Sequence, residues 1–339
     1  MPIIKYLQSR GHTVLAAGND WQRAYLTRLF PHLITLPLQG YGVKYGRSGM
    51  RLTVLKQLPK IAAAVLREQA WLKEIVETWA PDGIISDNRY GLHHARVPSV
   101  IITHQLQILS GLGRLADRFL LRRHYRQLAR FGEVWVPDME GPENLAGRLS
   151  QPKNIPAHAR YIGPLSALES GPASAAEHYL VLLSGPEPQR TLLSNLLWGE
   201  LNNTPLTNAK IVFVEGRADA AHRTPSSGHI RWYPHLAGPA LQEAMSGAQT
   251  VICRSGYSTL MDLVQLQKRA WLIPTPGQTE QEYLAALAME KGHHIQLPQS
   301  SFSLRRALAT DAVFEQKPLP AASHINSFPR VVDDWLARL

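Results

Sequence analysis

The residues best suited to chemistry lie between positions 250 and 285. An apolar run, TVIC, passes into Arg254-Ser255-Gly256-Tyr257-Ser258-Thr259 and then into a helical pattern. Gly256 lets a ligand approach the backbone closely. Ser258 and Thr259 are cap-type residues, and a helix start offers free N–H groups and the positive end of the dipole. A strand, turn and helix in this order can hold an anion, phosphate above all. Asp262 lies one turn into the same helix, at a spacing that reaches ribose hydroxyls. A plain capped helix with an acid in its opening turns would look the same.

A second polar group follows a Pro-rich strand exit. Gln278, Thr279, Glu280, Gln281 and Glu282 come directly after IPTPG. Amide and carboxylate side chains in tandem bind vicinal hydroxyls through paired hydrogen bonds. An ordinary polar helix start has the same composition. Further upstream, LLSGPEPQR (182–190) reads as a strand, a turn at Ser184-Gly185-Pro186 and a helix, with Pro186 and Pro188 removing two backbone donors.

The N-terminal half offers two smaller groups, SDNRYG (86–91) and THQL (103–106), each after an apolar strand. Open α/β sheets place their sites at such C-terminal strand ends. Asp87 suits a general base on an acceptor hydroxyl, and Arg89 a phosphate partner. His104 suits a base or a hydrogen-bond partner. A structural role is equally open for each. The pairs His93-His94 and His293-His294 lack ligand spacing and a carboxylate partner, so no metal is read there.

The elements that position these groups alternate. PIIKYLQSR reads as a helix stopped by Gly11, and HTVLAAG and LITLPL as strands. Residues 50–79 show helical periodicity, with a break or kink expected at Pro59. DGIISD, SVIITH, EVWVPD and ARYIGPL read as strands. The Gly163–Ala176 stretch is rich in Pro, Gly, Ser and Ala and reads as a linker. A second α/β series follows, with strands at 179–185, 210–216, 229–235, 250–256 and 269–276. Helices are expected at 189–201, 239–246, 258–267, 279–290 and 328–338. Strands alternating with helices predict parallel sheets.

The 339 residues are too many for one ordinary core and fit two domains. We place a first domain at 1–165, a linker at 166–176 and a second domain at 177–339. One cysteine, Cys253, excludes a disulfide framework and a cysteine zinc site. No apolar run is long enough to span a bilayer, and Lys5, Gln8 and Arg10 interrupt any signal-peptide core. A cytoplasmic location is expected, peripheral on the inner face of the membrane.

Charge supports the second part of that expectation. The net charge is +10, and residues 1–165 hold 22 basic against 11 acidic side chains, whereas 166–339 hold 14 against 15. The densest patch, 113–131, spaces Arg114, Arg118, Arg122, Arg126 and Arg130 four residues apart, with Leu115 and Phe119 among them. Apolar groups interleaved with Arg suit an anionic lipid surface. A packed helix with a solvated basic face is the simpler alternative. No recognition motif accompanies the charge, so nucleic acid is not expected.

The R-S-G-x-S-T-x-x-D stretch at 254–262 and the P-x-P-x-x-x-x-Q-E stretch at 274–282 together resemble the nucleotide-sugar half of family 28 glycosyltransferases. The resemblance covers about 179–292 well and the N-terminal half more loosely. It implies a GT-B fold, two Rossmann-like α/β domains facing a cleft, with the C-terminal helix crossing back onto the first domain. It implies transfer of a sugar, N-acetylglucosamine being the candidate, from a UDP-sugar to an acceptor hydroxyl. Transfer would invert the anomeric centre and need no metal or other cofactor, and the acceptor would be lipid-linked.

The resemblance also implies residue roles. Asp262 would hold ribose hydroxyls, and Ser258 and Thr259 would lie against the diphosphate. Ser184 and Gly185 would sit close to it, and Gln281 and Glu282 would face the donor sugar. Arg254, Ser255, Gly256 and Gln278 belong to the same donor-binding motifs, and THQL with His104 matches the acceptor-side loop. The family often has Glu where this chain has Asp262, and a Gln pair where it has Gln281-Glu282, which leaves the donor sugar open. The family further has a first strand and a Gly-rich loop carrying a Gly-His pair ahead of the helix at Pro2. Their absence leads us to expect a start assigned too far downstream, loss of the element being the alternative. An epimerase acting on a sugar nucleotide, and a non-catalytic nucleotide-sugar-binding protein, are the alternative readings.

Overall fold

A computed structural model describes residues 1–41, 50–111, 113–171, 178–203, 209–217, 219–225, 228–320 and 327–339, with only the helical course for 50–58. In chain order the elements are α1 (Pro2–Ser9), β1 (Leu15–Gly18), α2 (Asp20–Leu29), β2 (Ile34–Pro37), α3 (Met50–Trp79), β3 (Ile84–Asp87), β4 (Ser99–Ile102), α4 (Arg114–Leu128), β5 (Glu133–Val136) and β6 (Ala159–Tyr161). They continue with β7 (His178–Leu182), α5 (Gln189–Asn203), β8 (Lys210–Val214), β9 (Ile230–Tyr233), α6 (Gly238–Ser246), β10 (Ala248–Cys253), α7 (Tyr257–Gln265), β11 (Ala270–Leu272), α8 (Thr279–Glu290), β12 (Ile295–Gln296), α9 (Leu304–Val313) and α10 (Phe328–Leu336). Two compact units result. One is built mainly from Met1–Lys44, Arg51–Leu165 and Asn326–Leu339, the other from Ser166–Ile325.

The first unit carries a parallel pair, β1-β2, and a parallel four-stranded sheet in the order β3-β4-β5-β6. Every residue of β4 and β5 is buried, as strands covered on both faces require. A capping box starts α2: the Asn19 side chain accepts from the Gln22 N–H at 2.9 Å, and the Asn19 N–H donates to Gln22 Oε1 at 3.0 Å. The break expected at Pro59 is not seen, because α3 runs through it. Pro59 removes one helical hydrogen bond. Beyond it Ala64, Glu68 and Leu72 form a buried i, i+4, i+8 row that holds the helix to the sheet.

The C-terminal helix belongs to this first unit. Phe328, Val331, Val332 and Trp335 of α10 pack with Ile3, Val100, Ile102, Trp135 and Ile162. Trp335 meets Trp135 edge to face, with centroids 5.6 Å apart. The Tyr6 hydroxyl donates to Asp333 at 2.8 Å, and Arg160 pairs with Asp334 at 2.6 Å. Residues 326–339 therefore leave the domain expected at 177–339, because the apolar face of α10 completes the first unit's core.

The second unit is a parallel six-stranded sheet in the order β12-β11-β10-β7-β8-β9. The chain runs outward from β7 to β9, then restarts at β10 on the other side of β7. Ser166–Gly171, expected to be linker, packs on this unit: the Ser170 hydroxyl donates to the Gln265 carbonyl at 3.0 Å, and the Glu169 N–H to Gln242 at 2.9 Å. The remainder of the expected linker, 172–176, lies outside the described residues.

Candidate functional site

In an open parallel sheet the ligand crevice forms where the strand order reverses. In the second unit that point lies between β7 and β10, which pair in parallel with Cys253 opposite Leu182. The turns leaving these two strands carry Ser184-Gly185 and Arg254-Ser255-Gly256. Ser184 and Gly185 are exposed, and Gly185 holds φ +97, a backbone state that favours glycine. The helix α7 starts at Tyr257 with Gly256 as its N-cap and no side-chain capping bond. Ser258 and Thr259 are thus first-turn residues rather than caps. The first intrahelical bond is Leu260 N–H to Gly256 C=O at 3.1 Å, so the N–H groups of Ser258 and Thr259 have no acceptor within the helix. A side chain at Gly256 would meet only Thr259 Oγ1, at 3.9 Å, so its absence leaves open ground at this helix end.

Arg254 lies beneath that opening, 2% exposed. Its guanidinium donates to the Ile273 carbonyl at 3.1 Å, to Gln299 Oε1 at 2.7 Å and to the Gln189 carbonyl at 2.8 Å. Three chain segments at one sheet edge are tied by this side chain. Burial pushes its pKa down to about 10, which keeps it charged at neutral pH. Among the described residues no carboxylate pairs with it, so its positive charge reinforces the helix end above.

The 254–262 and 274–282 stretches are joined directly. The Ser255 hydroxyl donates to the Gln281 carbonyl at 2.8 Å. The Gln281 side chain accepts from Thr275 N–H at 2.9 Å, and Glu282 accepts from Gly277 N–H at 2.7 Å. Both side chains thereby hold the 275–277 loop. Gln278 is the N-cap position of α8, half-buried and without a capping bond. Asp262 accepts from the Ser166 hydroxyl at 2.5 Å. Burial pushes the Asp262 carboxyl up to about 6, and the Ser166 bond opposes that rise.

In the first unit β3 and β4 pair with Asp87 opposite Ile102, so Asp87 and His104 leave the same sheet edge. Asp87 is exposed, yet the protein around it raises its pKa; the Met1 amino group and His104 lower it. Arg89, expected to meet a phosphate, is engaged within the protein. Its Nε donates to Glu68 at 2.6 Å, and its terminal nitrogen donates to the Gln39 carbonyl. Glu68 is buried and also accepts from Gly91 N–H at 2.9 Å and Tyr41 hydroxyl at 3.1 Å. The two loops are pinned from α4: buried His124 faces the Tyr90 hydroxyl at 2.9 Å and the Gln105 carbonyl at 2.7 Å.

Sequence reasoning missed Ser166, Gln299, Glu68 and His124. Each acts through a partner far along the chain, and no local pattern marks it. One signal was present: the row Ala64, Glu68, Leu72 puts a carboxylate on the buried face of a helix, where it needs cationic or N–H partners.

Comparison with known proteins bears on the fold. No curated protein sequence matches the chain. Solved structures do. The glycosyltransferase of kitacinnamycin superposes with TM-score 0.67 at 16% identity, over 99% of this chain and 93% of that one. Spinosyn rhamnosyltransferase SpnG complexed with thymidine diphosphate gives 0.62 at 17%, over 99% and 92%. MurG of Acinetobacter baumannii gives 0.56 at 16%, over 99% and 94%. The fold is GT-B, an α/β architecture with parallel sheets. Residues 237–334 match the glycosyltransferase family 28 C-terminal domain, on a fold shared with these solved glycosyltransferases.

Proposed function

We propose that the protein transfers a sugar from a UDP-sugar to an acceptor hydroxyl, with inversion and without a metal or further cofactor. The single observation that carries this is the convergence at the β7/β10 switch point. There the Ser184-Gly185 turn, the N–H groups of Ser258 and Thr259 and the unneutralised Arg254 all favour a diphosphate. Asp262 would take the ribose hydroxyls, and Gln278, Gln281 and Glu282 the sugar, with N-acetylglucosamine the first to try. In the reaction the acceptor oxygen bonds to the anomeric carbon as the bond from that carbon to the diphosphate breaks. The acceptor's proton passes to Asp87, with His104 beside it, and UDP departs with its new charge met by the α7 helix end.

The acceptor is proposed to be lipid-linked, reached through α4. Its buried face is Leu120, His124 and Leu128, which turns Leu115 (86% exposed) and Phe119 (61% exposed) outward among the arginines. Among the described residues no helix is long and apolar enough to cross a membrane.

Calorimetric titration with UDP, GDP and dTDP tests the donor half, dTDP being included because SpnG holds thymidine diphosphate. UDP should bind selectively, and Asp262→Ala should weaken it. A folded protein that binds none of the three would sink the donor assignment. Selective dTDP binding would replace UDP by dTDP. Hydrolysis or epimerisation of the sugar nucleotide without acceptor would point away from transfer.

A further inference from the structure

A cavity of about 680 Å³ opens in the first unit at the edge opposite Asp87 and His104. It is bounded by the second half of α3, by the loop that leads into the start of β4 and by the residues ahead of β5. Its size falls in the range of small-molecule sites. Lys73, Arg96, Arg130, His93 and His94 line it, against one acid, Glu77. Among the described residues none of Lys73, Arg96 and Arg130 has a carboxylate within ion-pair distance. Three fixed cations face one carboxylate before either imidazole takes a proton.

The walls are held by groups that leave these charges available. Gln69 donates to the carbonyls of Gly91 at 2.5 Å and His93 at 3.1 Å, fixing the loop on α3. The His94 N–H donates to Ser99 at 3.1 Å, at the first residue of β4. His93 packs on Phe131, its Nδ1 lies 3.0 Å from the Tyr90 carbonyl and 3.0 Å from Gln69 Nε2, and its Nε2 lies 3.5 Å from the same Gln69 nitrogen. Burial lowers the pKa of His93, and Arg130 and His94 add to the effect by repulsion. Like charges are thus crowded around a preformed cavity, with Ala70, Val76 and Ala95 as its apolar lining.

We propose that this cavity binds a phosphate group carried by a small ligand, at a site separate from the donor site. Arg96 and Arg130 suit bidentate contact with phosphate oxygens, Lys73 adds a point charge, and His94, whose Nδ1 accepts from the Arg96 N–H at 3.3 Å, can donate from Nε2. The apolar lining accepts the carbon part of the ligand. The phosphate could belong to a soluble phosphomonoester or to a lipid headgroup, and the chemistry is shared.

The test uses the full chain with saturating UDP, which keeps the donor site out of the reading. Wild type and a Lys73→Gln, Arg96→Gln double variant are compared, both positions being exposed and away from the core. Glycerol 3-phosphate is titrated by calorimetry, and vesicles containing phosphatidic acid are compared with vesicles of phosphatidylglycerol at equal charge. Backbone hydrogen exchange at 91–97 locates the binding. Protection there by glycerol 3-phosphate, with at least tenfold loss of affinity in the variant, establishes the site with a soluble ligand. A preference for phosphatidic acid that disappears in the variant establishes it with a headgroup. Equal behaviour of the two proteins towards both probes, or binding that leaves 91–97 unprotected, overturns the proposal.

Discussion

Substituting Glu68→Gln should unfasten the loop that leads from Asp87 towards β4. In the native protein one carboxylate oxygen receives Arg89 Nε at 2.6 Å, and the other receives Gly91 N–H at 2.9 Å and the Tyr41 hydroxyl at 3.1 Å. Glutamine replaces one of these acceptors by an NH2 group. Turned one way it faces the guanidinium; turned the other it faces Gly91 N–H. Either orientation sets donor against donor and leaves Arg89 without a counter-charge. Breaking a buried ion pair on one side costs about 3–5 kcal/mol. The Arg89 side chain is 17% exposed and regains some water, and the glutamine carbonyl still serves one end, so the lower figure applies. With a urea slope of about 2 kcal/mol per molar, the first unit's midpoint should fall by about 1.5 M. Hydrogen exchange during urea titration reads β3 and β4 separately from β7 and β8, whose midpoint should stay in place. Adding Arg89→Met should recover part of the loss by removing the stranded charge. A first-unit midpoint within about 0.3 M of wild type would refute the assignment of Glu68 as the loop's anchor.

Other outcomes follow from the same geometry. Gly216→Ala places a Cβ 2.1 Å from the Leu183 carbonyl at a residue with φ +75, and thermal melting of the second unit should show a loss of about 3 kcal/mol or more. Arg254→Met strands the buried carbonyls of Gln189 and Ile273 while relieving a buried charge. Stability should therefore change little, while nucleoside diphosphate affinity measured by calorimetry falls at least tenfold. His124 is held down to a pKa of about 4 against 6.5 when free, mainly by burial. The unfolded chain therefore takes up a proton first as pH falls: the contribution is complete above pH 6.5 and is lost on descent to pH 4, by about 3 kcal/mol. Urea midpoints at several pH values should show a steeper acid loss in wild type than in His124→Gln.

Much of the second unit was legible because its strands are short apolar runs closed by Gly or Pro. Val251, Ile252 and Cys253 are buried between neighbours on both sides and end where Ser255-Gly256 begins. Ser258 and Thr259 were read as caps because hydroxyl residues suit that role. The exit of β10 instead starts the helix one residue earlier, at Tyr257. The interior of the site was not legible. Asp262 finds Ser166 across 96 residues of chain, and Arg254 reaches Gln189 across 65. Arg89 carries an exposed-looking charge in sequence, and only packing on α3 shows it committed to Glu68. The helix α2 did leave a local trace, since Asn19 and Gln22 have the spacing of a capping box.

The docking of α10 on the first unit has a consequence for synthesis. Ile3, Val100 and Trp135 are made early, but Trp335 and Val332, which cover them, are made after the whole of Ser166–Ile325. At ordinary elongation rates that stretch takes roughly 10–30 s. Throughout it the apolar face awaiting α10 stays open on the nascent chain, and by its end the second unit holds all of its own strands. The unit written first in the sequence is thus the last to close, and its early half is the part of the nascent protein most in need of chaperone cover.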